Sequence, residues 1–202
     1  MKTFLKTILL LATLALSPSA LAAKNILVFG DSLSAGYGIA RDDSWVNLLQ
    51  QELDKSHPQF KVVNASISGE TTSGGLRRIG KALQQHTPAI VVIELGANDG
   101  LRGTSIKETE ANLNAIISKS RKAKAKVLLI GIRIPPNYGM NFTRQFDALY
   151  PMMAKKHNVA LMPFMLQGIP PEQFQADNLH PTAAAQPLIM RNVLRSLMPL
   201  LR

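Results

Sequence analysis

The chain of 202 residues is 46% apolar and 18% charged, has no cysteine, and carries a formal charge of +10. That composition suits one globular domain with a sizeable core, and it excludes both a disordered chain and a disulfide framework. With 5% aromatics and its basic residues spread over several predicted helices, the excess charge implies a surface that attracts anions, not a nucleic-acid binder. In chain order, Lys2 and Lys6 precede the apolar run Ile8–Leu16, Pro18 follows it, and Ala20-Leu21-Ala22 is a small-x-small cleavage pattern. Residues 1–22 therefore read as a secretory signal peptide and 23–202 as a single domain, secreted or periplasmic. The apolar run is too short to span a bilayer, so no stable membrane insertion is expected.

Ile26–Phe29 reads as a short buried strand, ended by Gly30 and followed by the polar loop that holds Asp31, Ser32, Gly36 and Gly38. Trp45–Ser56 reads as a helix with Ser44 as N-cap and His57-Pro58 as its stop. Phe60–Val63 is a second strand, Asn64 to Gly75 a loop of small polar residues, and Leu76–Gln85 a helix. The unbroken apolar run Ile90–Leu95 marks a central parallel strand buried on both faces, and Gly96 to Gly100 a second polar loop. Helices are expected over Ile106–Ala123, Phe142–Lys156 and Thr182–Met198, the last opened by Pro181, and strands over Val127–Ile132 and Val159–Met162. Five alternations of strand and helix predict a flavodoxin-like α/β/α sandwich, with a five-stranded parallel sheet in the order 2-1-3-4-5.

That topology gathers the loops bearing Ser32, Gly69, Asn98 and Arg133 at one sheet edge, with Ser32 and Asn98 flanking the switch point. A serine nucleophile needs a base, and the sequence has 4 histidines to choose from. His57, His86 and His157 fall at predicted helix C-termini, where the helix dipole favours an imidazolium and a structural role. His180 instead precedes a helix, three residues after Asp177, so one tight turn can hold that carboxylate against one ring nitrogen and leave the other for Ser32. Asn98 and the N–H groups of Ser32 and Gly69 are candidate oxyanion donors. Asp31 and Asp99 read as braces for their loops.

Four blocks carry a resemblance: Gly30-Asp31-Ser32-Leu33-Ser34, Gly69 in the segment Asn64 to Glu70, Gly96-Ala97-Asn98-Asp99, and Asp177-x-x-His180-Pro181. Together they resemble the SGNH/GDSL hydrolase superfamily, in the right order across nearly the whole mature chain. Within it, Leu95 to Gly103 and Ile132 to Gly139 are similar to the TesA-like arylesterase group of bacterial periplasmic thioesterase/protease/lysophospholipases. The resemblance implies Ser32 as nucleophile, His180 as base, Asp177 as its partner, and Ser32, Gly69 and Asn98 around the oxyanion. It also implies a loop after Asn98 that moves over the acyl chain, and a groove lined by Ile132, Ile134 and Leu179. The expected substrates are aryl esters, lysophospholipids and acyl thioesters, handled by a monomer without metal or cofactor. A carbohydrate O-deacetylase is the alternative for the same triad, and a non-catalytic anion- or lipid-binding module the alternative outside enzymes. Ala97 stands where glycine is common in the group, and Pro136 stiffens the fourth loop. There is no Gly-x-Ser-x-Gly elbow, no complete dinucleotide or P-loop motif, and no cluster with metal-ligand spacing.

Overall fold

The computed structural model describes residues 23–202, and the predicted signal peptide lies outside them. The chain runs β1 (Lys24–Gly30), α1 (Ser32–Ala35), α2 (Trp45–Ser56), β2 (Phe60–Asn64), α3 (Thr72–His86) and β3 (Ile90–Glu94). It continues through α4 (Ala97–Leu101), α5 (Ile106–Lys122), β4 (Lys126–Ile130), α6 (Met140–His157), β5 (Ala160–Met162) and α7 (Gln186–Leu197), with short 3-10 turns between. All strand pairs are parallel, in the order β2-β1-β3-β4-β5. Among the described residues no helix is long and apolar enough to cross a membrane.

The unbroken apolar strands follow from burial on both faces. Alternate residues of each central strand enter separate cores, because successive side chains point to opposite sides of a sheet. Leu27, Phe29, Val91, Ile93, Val127 and Leu129 pack under α3, α5 and α6. Ile26, Val28, Ile90, Val92, Leu128 and Ile130 pack under α2 and α7. Each fully buried side chain of this size contributes about 1.5–3 kcal/mol. Trp45 is wholly buried in the second core, and it is also anchored by polar contacts: its backbone N–H donates to Gln186 Oε1 (3.0 Å) and its indole N–H to Leu33 O (3.1 Å). The helix α2 is thereby tied both to α7 and to the segment after β1.

Side-chain caps set the helix starts. Ser44, Thr71 and Ser105 accept from the backbone N–H three residues on, in α2, α3 and α5. The start of α3 differs from the sequence expectation, lying at Thr72 and not Leu76. Gly74 and Gly75, poor helix formers, sit inside its first turn. Space requires Gly75: a Cβ there would come within 2.6 Å of Leu95 and 3.2 Å of Phe29, so the helix lies close on the sheet. The last helix also differs. Pro181 pairs with Phe174 in an isolated bridge, a 3-10 turn spans Ala183–Ala185, and the α-helix begins only at Gln186, with Pro187 in its first turn. The segment Gly96 to Gly100, expected as a loop, holds all of α4 but its last residue.

Candidate active site

β1 stops at Gly30 because nothing larger fits: a Cβ there would lie 2.6 Å from Glu94 Oε2. Asp31 then caps α1, its Oδ1 accepting from Leu33 N (3.1 Å), and Ser32 becomes the first residue of that helix. Among the described residues the N–H groups of Ser32 and Gly69 make no hydrogen bond. Gly69 adopts φ +78, a left-handed conformation that favours glycine.

The segment after β5 brings His180 to Ser32. Asn178 turns at φ +56, which lets Asp177 Oδ1 accept from the N–H groups of Leu179 (2.9 Å) and His180 (3.0 Å). Asp177 Oδ2 lies 2.7 Å from His180 Nδ1, and His180 Nε2 lies 2.8 Å from Ser32 Oγ. Bonds from the His180 backbone and ring pull the Asp177 carboxyl down to about 2, so it is an acceptor only. The Nδ1 atom therefore carries the proton of the neutral ring, and Nε2 is free to accept from the serine hydroxyl.

Asn98, in α4, ties two neighbouring loops together. Its Nδ2 donates to Asp31 Oδ2 (3.1 Å) and to Glu70 O (3.0 Å). Glu70 is itself held by Arg78 Nε at 2.5 Å, and Arg78 also donates to Ala65 O (2.7 Å). Asp99 braces the third loop: it accepts from Thr72 N (2.8 Å) and Thr72 Oγ1 (2.5 Å). Both aspartates thus have the bracing contacts expected of them.

One residue that the sequence reading missed lies directly behind the serine. Glu94, the last residue of β3, is fully buried, and its Oε2 accepts from Asp31 N (3.2 Å) and Ser34 Oγ (2.7 Å). Among the described residues its Oε1 has no partner. Burial first, and the charge of Asp31 second, push the Glu94 carboxyl well above the usual carboxylate range. Burial also pushes Asp31 up to about 6, against the bonds it accepts. Of the two, Asp31 is the readier to ionise, and Glu94 holds its proton to higher pH. The available signal was an acidic residue ending an otherwise apolar central strand.

The cleft beside Ser32 has a volume of about 200 Å³ and is open to solvent. Ser32, Gly69, Asn98 and His180 line it, and so do the three residues expected of an acyl groove, Ile132, Ile134 and Leu179. Ile132 and Ile134 are nearly buried, whereas Leu179 stands 37% exposed at the rim. α4 closes on this wall, since a Cβ on Gly100 would meet Ile134 at 2.5 Å. Arg133, between the two isoleucines, turns outward: its guanidinium stacks on Phe164 (4.6 Å) and its Nε is 4.0 Å from Asp147 Oδ2.

The other three histidines do end helices. His157 departs from the expected imidazolium, however. It is buried and paired with Asn114 Oδ1 (3.0 Å), and burial, then Lys156 and Arg121, lower its pKa. Neighbouring cations and lost hydration outweigh the helix dipole there.

The sequence pattern of the GDSL-like lipase/acylhydrolase family matches residues 28–187. The chain belongs to that family. This GDSL hydrolase is 47% identical over 182 residues to "Esterase TesA" of Pseudomonas aeruginosa, covering 89% of this chain and 90% of the relative. It is 43% identical over 183 residues to "Thioesterase 1/protease 1/lysophospholipase L1" of Escherichia coli K12, covering 90% and 86%. Among solved structures, the psychrotrophic esterase EstA from Pseudoalteromonas sp., inhibited by monoethylphosphonate, superposes with a TM-score of 0.84 at 42% identity, covering 87% of this chain and 97% of that one. Like these relatives, the GDSL hydrolase is an ester-hydrolysing enzyme with the SGNH fold.

Proposed function

We propose that the enzyme cleaves carboxylic esters and thioesters of single acyl chains through a covalent acyl-enzyme on Ser32. The observation that carries this reading is the continuous hydrogen-bonded chain from Ser32 Oγ through His180 to Asp177, set beside an apolar cleft. His180 Nε2 takes the hydroxyl proton as Ser32 Oγ attacks the acyl carbonyl, and Asp177 holds the resulting imidazolium. The oxyanion is met by the N–H groups of Ser32 and Gly69. Asn98 joins them by sharing one of its amide hydrogens, which otherwise serve Asp31 and Glu70. Each such donor is worth roughly 10²–10³ in kcat. His180 then returns the proton to the departing oxygen or sulfur, and in the second half activates water against the acyl-enzyme.

The acyl chain lies along Ile132, Ile134 and Leu179, which suits lysophospholipids, aryl esters and acyl thioesters and gives an acetylated sugar little to bind. We place the mature enzyme in the periplasm, following the leader-like pattern of residues 1–22. The test is Ser32→Ala assayed on p-nitrophenyl acyl esters, together with labelling by a fluorophosphonate. Turnover is expected to fall by about 10³-fold or more and labelling to vanish. Undiminished turnover, or label retained elsewhere in the variant, refutes the assignment.

A further inference from the structure

Tyr37 has no part in the chemistry above, yet its placement is costly and well fixed. Its side chain is large and 52% exposed, and among the described residues its hydroxyl makes no hydrogen bond. Its backbone is nevertheless held from both sides. Gly36 and Gly38 flank it at φ +76 and +73, turns that present the ring outward. Tyr37 N donates to Ser32 O (3.1 Å), and Tyr37 O accepts from Gln175 Nε2 (2.9 Å). The same Gln175 amide donates to Pro181 O (3.1 Å), while Gln175 N donates to His180 O (2.7 Å). One glutamine thus fixes the Tyr37 loop and the His180 loop against each other.

The result is a backbone-anchored ring beside His180. The Tyr37 and His180 rings lie 4.6 Å apart, tilted by 43°, and Tyr37 lines the same cleft as Ser32 and Ile132. The chemistry says what should sit there. His180 Nε2 delivers the proton to the leaving atom, so the leaving group must come within hydrogen-bond reach of that nitrogen. The acyl-lining residues Ile132 and Ile134 follow β4, two strands away from the β1 loop that carries Tyr37. Apart from Leu179 at the rim, the acyl and leaving-group halves of an ester therefore point to different loops, and the leaving group at His180 Nε2 meets Tyr37. A fixed aromatic surface binds with little ordering cost and prefers flat, apolar partners.

We propose that Tyr37 is the leaving-group platform of this enzyme, a specificity-determining residue that favours aromatic leaving groups by stacking. The proposal rests on the Ser32–His180 reading, and it predicts an effect confined to the half-reaction in which the leaving group is present.

The experiment compares phenyl, cyclohexyl and ethyl octanoate on the wild type, Tyr37→Ala and Tyr37→Phe. The kcat/KM ratio of phenyl to ethyl ester is expected to fall about fivefold or more in Y37A and to hold in Y37F. The phenyl-to-cyclohexyl ratio is expected to fall with it, since those two leaving groups differ in aromaticity and little in bulk. Hydrolysis of the octanoyl-enzyme, from which the leaving group has gone, is followed after rapid mixing and is expected to change less than about threefold. A phenyl-to-ethyl ratio unchanged in Y37A overturns the proposal, and so does loss of that ratio in Y37F. Deacylation slowed in step with acylation also overturns it, because Tyr37 would then act only by positioning His180. The kcat/KM ratios require no detected intermediate, so they judge the platform even where a missing burst counts against the acyl-enzyme.

Discussion

Replacing Glu94 by Gln tests the protonation assigned to the carboxyl behind Ser32. The substitution keeps the shape and the acceptor: Gln Oε1 can take both the Asp31 N–H and the Ser34 hydroxyl now bound to Glu94 Oε2. The amide nitrogen occupies the place of Oε1, which has no partner among the described residues. Removing the acceptor altogether, as in Glu94→Ala, would strand two buried donors at about 1–3 kcal/mol each, so Gln is the informative change. Its effect depends on pH. The folded-state pKa of Glu94 is raised well above its ordinary 4.5, so the folded chain keeps a proton that the unfolded chain releases. Stability from this site is full below that ordinary value and is lost as the pH rises toward the folded value, by up to about 1.4 kcal/mol per pH unit. Gln carries no such proton and removes the slope. Asp31, raised to about 6 by burial, adds the same trend to both proteins, and its charge is one cause of the Glu94 shift, so the difference reports the proton of the pair. Urea unfolding of the two proteins between about pH 5 and pH 7 is therefore expected to show E94Q gaining on the wild type with rising pH. Parallel stability profiles would refute a protonated Glu94, whereas a constant offset between the two proteins reports only the cost of burying the unpartnered amide nitrogen.

Two other substitutions follow from the same geometry. Asp177→Asn is expected to lower kcat by roughly 10³–10⁴, because an amide lets the ring adopt the wrong tautomer; steady-state rates on an octanoyl ester check it. The same carboxyl is depressed to about 2 from 3.8, so its contribution to stability is present above the higher value and lost as pH falls through the lower one. Acid unfolding should show that limb in the wild type and not in D177N. Gly96→Ala is expected to cost about 2–3 kcal/mol and to lower Tm by about 5–10 °C. Gly96 sits at φ +120, and its missing side chain leaves room for the Tyr150 hydroxyl that donates to Leu95 O. A thermal melt within about 2 °C of wild type would contradict that.

The sheet was legible because a parallel strand covered on both faces needs nearly continuous apolar residues, as Ile90–Glu94 shows, and because strand and helix alternate without interruption. Ser32, Asp177 and His180 were legible because only one of the histidines precedes a helix. Local pattern failed where tertiary contact outweighs propensity. Gly75 enters α3 because that helix must approach Leu95 closely, Gly74 because the Glu70 carboxylate fills the space of a side chain there, and Pro181 serves a bridge to Phe174 before the last helix begins. Glu94 and Gln175 escaped notice for another reason: a lone Glu or Gln has no spacing signature, and its importance lies in partners far away in the chain.

That separation has a consequence for when the enzyme can work at all. Ser32 and the ring that would activate it are 148 residues apart, and the Gln175 tether spans 138. Neither contact is local, so each forms only after the intervening strands have paired and the closing segment has returned to β1. A nascent chain, or one whose segment between β5 and α7 has peeled away, holds Ser32 without His180 and, on the proposed mechanism, leaves esters untouched. Because that segment is mostly irregular while the central strands are buried on both faces, it can open before the sheet does. Hydrolytic activity then reports closure of the chain's two ends, and is expected to be lost ahead of the spectroscopic signs of unfolding.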